Sequence, residues 1–293
     1  MASPLSWTGR TQTLADGLQV RRVLPAAARR AVGPFVFFDH FGPVTLPAGT
    51  DSDIGAHPHI GLATVTYLFE GSFLHRDSLG SVQAITPGAI NWMTAGRGIV
   101  HSERATDADR AGARRLHGLQ LWAALPPDQE AMAPAFQHVG AQEIPTVTLP
   151  GGATARVLVG EAWGARSPVR IEVPTLYLDL QLPPAARLDL PALAPEQALY
   201  SPELPLEVDG QPLPACVMHL LADGQVARLQ AGPQGARLVL IGGAPLQRPV
   251  RMWWNFVSVD LERIAQATRD WAGNGFAPIP GDPSKVPAPP WRP

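Results

Sequence analysis

Hydrophobic residues along this chain gather in short runs cut by turn residues. "ATVTYLFEG", "SVQAITPG", "LHGLQLWAALP", "ARVLVGEA", "TLYLDLQLP", "PACVMHLLADG" and "ARLVLIGG" are β-branched or leucine-rich stretches bounded by glycine, proline or polar positions. Runs of that kind predict strands. The period lengthens only near the C-terminus, where "SVDLERIAQATRDWAGNG" sets Leu261, Ile264, Thr268 and Trp271 on one helical face. Ser258 is the expected N-cap, Asp260 suits the first turn and Gly273 the stop. The tail "PIPGDPSKVPAPPWRP" is proline-rich and predicted extended.

The 32 prolines and 28 glycines among 293 residues leave most segments too short for a helix, so the expected class is all-β with a C-terminal helix. A proline- and glycine-rich stretch at residues 143–152, "EIPTVTLPGG", separates two sets of strands of similar size. The expected division is residues 1–142 and 143–293, each a β-barrel or sandwich, with the helix and tail in the second. No literal repeat connects the halves.

Composition narrows the function. Formal net charge is −2, and the arginine pairs at 21–22, 29–30 and 114–115 are scattered, which disfavours direct nucleic-acid binding. No run approaches the roughly 18 to 20 apolar residues of a membrane span, and the first residues lack the features of a signal peptide. A cytoplasmic protein without membrane partners is expected. Cys216 is the single cysteine, so no intramolecular disulfide and no thiolate cluster can form.

Two spacings carry chemistry. His57 and His59 in "HPHIGLATVTYLFEG" lie two residues apart at the start of a predicted strand, and so share a face of the sheet. His101 and Glu103 in "TAGRGIVHSER" repeat that spacing 42 residues further on. Together they offer three imidazoles and a carboxylate to one transition metal: iron, manganese, nickel, copper or zinc. Four protein ligands around an octahedral ion leave two positions open for reaction.

The blocks "PFVFFDHFGP", "HPHIGLATVTYLFEG", "HRDSLGS", "NWMTAGRGIVHSE", "HGLQLWAALP", "PTLYLDLQL", "WWNFVS" and "PIPGD" resemble the pirins, two-domain members of the cupin superfamily. The resemblance covers nearly the whole chain. It implies a bicupin of jelly-roll-like barrels, with one divalent metal per chain, Fe(II) above the others, bound in the first barrel by His57, His59, His101 and Glu103. A general cupin motif would add a glutamate four or five residues after His59, where this chain has Ala63 and Thr64. Glu103 is thereby left as the carboxylate ligand.

The remaining histidines have weaker partners in the sequence. His40, His117 and His219 are expected to be structural, whereas the resemblance places His75 on a strand bordering the metal barrel, where it could orient a ligand. Trp92, Met93, Phe35, Phe37 and Phe38 are expected in the core. The resemblance implies a dioxygenase that opens flavonols such as quercetin, or another small planar enol, with O2 and releases carbon monoxide, Glu103 accepting the substrate's proton. The alternative is a non-enzymatic iron-dependent redox sensor acting through a protein partner.

Overall fold

The computed structural model describes residues 5–13, 18–50 and 52–291. Strands dominate, and the α-helices among the described residues are Asp107–Ala111 and Leu261–Ala272. Neither is long and apolar enough to cross a membrane. The chain forms two compact units that do not follow sequence order. One comprises the segment up to Thr11, Arg21–Phe38 and Gln142–Pro245; the other comprises Gln12–Val20, Asp39–Ala141 and the chain from Leu246 onward.

The first of these is a leucine-filled barrel. Its larger sheet runs in the order Ser6–Thr8, Val217–Leu220, Glu196–Tyr200, Ala236–Gly243, Thr175–Leu182, Thr154–Val159, Thr146–Thr148. A four-stranded sheet of Arg187–Leu190, Ala227–Ala231, Leu206–Val208 and Gln211–Leu213 completes it. Alternation sends Leu176, Leu178, Leu180 and Leu182 into one core with Leu199, Leu238 and Leu240. Each fully buried leucine contributes about 1.5–3 kcal/mol. His219 lies in this unit on its strand, with the Ser6 Oγ 2.8 Å from its Nδ1, a hydrogen bond that suits the expected structural role.

The histidine-bearing unit pairs Ala135–Val139, Ile90–Thr94, Leu62–Glu70, Arg114–Ala124 and, from Asp39 onward, the strand Phe35–Leu46 in one sheet. The other sheet has the order Ile54–His59, Ile99–Arg104, Phe73–Asp77, Val82–Ile85. The expected strand running on from His57 is in fact two strands. His57 and His59 end Ile54–His59, and Gly61, at φ +68°, turns the chain into the other sheet before Leu62. A Cβ on Gly61 would lie 1.9 Å from the Val257 carbonyl oxygen, so only glycine fits this corner.

The C-terminal helix, expected with the second barrel, belongs to the histidine-bearing unit. Its apolar face explains why. Ile264, Ala267 and Trp271 pack with Ala56, Ile60 and Val100, which the histidine sheet turns away from its histidines. The N-cap is Asp260 rather than Ser258, since Asp260 accepts from the Glu262 N–H. The Ser258 hydroxyl is committed elsewhere: it donates to buried Glu130 and accepts from the Asp260 N–H. Gly273 closes the helix as expected, its N–H donating to the Arg269 carbonyl.

Candidate metal centre

Antiparallel register assembles the centre. Ile99–Arg104 pairs with Ile54–His59 so that His101 faces His57 and Ile99 faces His59. On its other edge His101 faces Asp77 and Glu103 faces His75. Directly opposed residues project from the same side of a sheet, with Cβ atoms about 4.5–5.5 Å apart. One face therefore carries His57, His59, His101, Glu103, His75 and Asp77. Of these, His57, His59 and His101 bring their donor atoms within 4.8 Å of one another, all buried. His59 Nε2 and His101 Nε2 are 3.1 Å apart.

Backbone carbonyls orient two of the rings. His57 Nδ1–H donates to the Gly55 carbonyl at 2.8 Å, and His59 Nδ1–H to the Asn255 carbonyl at 3.1 Å. With Nδ1 protonated, each Nε2 keeps its lone pair for a metal. Burial pushes the His57 pKa down to about 4 and holds His59 and His101 well below the ordinary histidine value. All three are thus neutral near pH 7, the state a metal requires. Converging lone pairs repel unless a cation or proton lies between them. The buried Nδ1 of His101 makes no hydrogen bond within the protein. A donor set of three neutral imidazoles in this arrangement fits a divalent transition metal.

Glu103 shares the inward face, but its carboxylate is not among the atoms that converge within 4.8 Å. A register shift between His101 and Glu103 sets it opposite Ile54, and its Oε1 accepts from Thr66 Oγ1 at 3.2 Å. Burial raises its pKa, opposed by His75 and by the Thr66 hydrogen bond. His75 Nε2 lies 2.9 Å from Asp77 Oδ2, and its ring stacks on Phe136 at 4.2 Å between centroids. Its centroid is 5.4 Å from that of His101. Trp122 meets His59 edge-on at 5.1 Å. His40 and His117, expected to be structural, pair with each other, Nε2 to Nε2, at 2.8 Å. Trp92, Met93, Phe35, Phe37 and Phe38 are buried, as expected of core residues.

A polar row across the facing sheet was not anticipated from the sequence. His138, Asn91, Thr66 and Gln120 stand opposite one another on successive strands. His138 Nδ1 is 2.7 Å from Asn91 Oδ1, and Thr66 Oγ1 is 2.9 Å from Gln120 Oε1. Since Thr66 also reaches Glu103, this row faces the same interior as the histidines. Asn255 was equally unforeseen, because its backbone and not its side chain does the work, although "WWNFVS" marked the segment.

The family model described as pirin matches residues 17–123, and that of the pirin C-terminal cupin domain matches residues 177–277. A pirin-like protein of Caulobacter vibrioides is 44% identical over 256 residues, covering 86% of this chain and 88% of that protein. A putative quercetin 2,3-dioxygenase of Pseudomonas aeruginosa is 40% identical over 90% of this chain and 82% of its own length. A crystal structure described as quercetin 2,3-dioxygenase from Acinetobacter baumannii superposes with a TM-score of 0.91 at 36% identity, covering 99% of this chain and 96% of that one. With the barrels and the buried histidine cluster they carry, these matches make the chain a member of the pirin family, with its two-domain cupin fold.

Proposed function

We propose that the protein is a metal-dependent dioxygenase that opens flavonols, or related planar enols, with O2 and releases carbon monoxide. The observation that carries this reading is the set of three neutral buried imidazoles with a buried carboxyl of raised pKa on the same face. The similarity to proteins described as quercetin 2,3-dioxygenases supports the substrate class.

His57, His59 and His101 would hold the metal, Fe(II) by preference; Glu103, whose carboxylate stands outside that cluster, would complete the set as the family resemblance implies. The bound ion would acidify a substrate hydroxyl and supply redox chemistry. The protein's own residues do the rest. Glu103, more basic than a surface glutamate, accepts the enol proton at its carboxylate. Thr66 donates to that carboxylate and limits its rotation. Trp122 and Phe136 flank His59 and His75 with aromatic surface suited to a planar substrate, and His75 keeps its orientation through Asp77. The buried wall excludes water, which strengthens these electrostatic interactions.

The test is anaerobic reconstitution with Fe(II), followed by quercetin and then O2, with carbon monoxide and oxygen uptake measured together. Multiple turnovers in proportion to metal content are expected. Metal-loaded protein that releases no carbon monoxide across a panel of enols would sink the enzyme reading.

A further inference from the structure

We propose that Asp282, in the C-terminal tail, is a positioning residue for the metal centre, acting through Ser102 and Arg104 on His101 and Glu103. This rests on the histidine cluster being a metal site. Alternation along Ile99–Arg104 turns His101 and Glu103 inward, so Ser102 and Arg104 face the other way. There Asp282, itself buried, takes both. Ser102 Oγ donates to Asp282 Oδ2 at 2.8 Å, and Arg104 donates to the same carboxylate through Nε at 3.0 Å and Nη2 at 2.6 and 2.7 Å.

The point of attachment matters. Ser102 is joined by peptide bonds to both inward donors, and it sits at the register shift where Ile99–Arg104 loses its regular ladder with Ile54–His59. The extra residue lies in Ile54–His59, where Gly55 and Ala56 stand opposite Ser102 alone, so the ladder between the two donor strands is interrupted at this point and that strand bends. The same tail grips the other ligand strand next to His57. The Ala56 N–H donates to Ser284 Oγ at 2.9 Å, and the Ala56 carbonyl accepts from the Val286 N–H at 2.8 Å. Arg104 Nη2 also reaches Ser284 Oγ at 2.8 Å. Five residues of tail thus tie together, from outside, the two strands whose inner faces carry the three imidazoles.

The experiment is a Co(II) titration of metal-free protein, read by the visible ligand-field bands at saturation, alongside the thermal midpoint of each metal-free variant. Asp282→Asn and Ser102→Ala are the test variants. Trp291→Leu, which removes the edge contact with Trp253 at 5.0 Å between centroids, loosens the same tail beyond the residues that hold Ser102, Arg104 and Ala56. Both test variants are expected to bind Co(II) at least about tenfold more weakly, the scale for a lost supporting partner, and to shift the bands, while Trp291→Leu keeps the wild-type spectrum. If Asp282→Asn does not fold, Ser102→Ala gives the reading. Wild-type bands and affinity in the test variants would overturn the proposal, as would an equal shift in Trp291→Leu. Absence of any Co(II) spectrum in the wild type would instead remove the metal site, and the positioning role with it.

Discussion

Glu103 shows how one environment can tune a residue for two tasks. Burial raises its pKa, so it holds a proton more tightly than a surface carboxyl, yet a cation beside it would draw out the charged form. Glu103→Gln keeps an oxygen donor and loses the basicity. Metal content is expected to persist in part, while flavonol turnover falls by about 100-fold or more, the range for a lost general base; turnover assays normalised to metal content decide this. His101→Ala should strip most of the metal, checked by elemental analysis after identical reconstitution. The histidines also predict a pH response. Their folded pKa values lie below that of the unfolded chain, so their contribution to stability is complete above about pH 6.5 and is lost as pH falls, for His57 down to about 4. The slope is about 1.4 kcal/mol per pH unit for each histidine fully in its window. Glu103 acts in the opposite sense. Thermal unfolding of metal-free protein between pH 7 and 4 should therefore show a midpoint that falls on acidification, and falls less steeply in His57→Gln.

At the scale of elements, the corner at Gly61 separates the last ligand of the first pair from the facing sheet. Gly61→Ala meets both a left-handed φ and the Val257 carbonyl. A loss of at least about 2 kcal/mol in denaturant unfolding is expected, from the conformational penalty of roughly 1–2 kcal/mol plus the clash. The longer strands were legible in the sequence because their hydrophobic runs are uninterrupted, as in Thr175–Leu182 and Ala236–Gly243. The division at Gly61 was not, since "HPHIGLATVTYLFEG" reads as one run and the turn depends on a carbonyl nearly 200 residues away. The donor pairs were legible because strand alternation is local: two residues always return to the same face. What fixes them was hidden. Asn255 acts through its backbone, His138 finds Asn91 only across paired strands, and Asp282 reaches Ser102 from 180 positions away. The Ser258 cap failed for the same reason, as buried Glu130 claims its hydroxyl.

At the scale of the molecule, the exchange of terminal segments makes the histidine-bearing unit dependent on the end of the chain. A fragment of residues 1–142 contains all four expected ligands but lacks the Asn255 carbonyl, the helix and the tail. It leaves Ala56, Ile60 and Val100 without their cover. Such a fragment is expected to take up little metal, and addition of a peptide spanning 246–293 to restore some of it; metal analysis of both samples tests this.

The exchange also imposes an order in time. A domain that is contiguous in sequence can fold while the rest of its chain is still being made. Here the ribosome adds roughly 150 residues between Glu103 and Asn255, about 8–30 s at typical elongation rates. Throughout that interval the donor residues exist without the carbonyl that orients His59 or the tail that braces Ser102. Metal loading is therefore expected late in the life of the polypeptide, and a nascent chain stalled before residue 246 should leave the ion in solution.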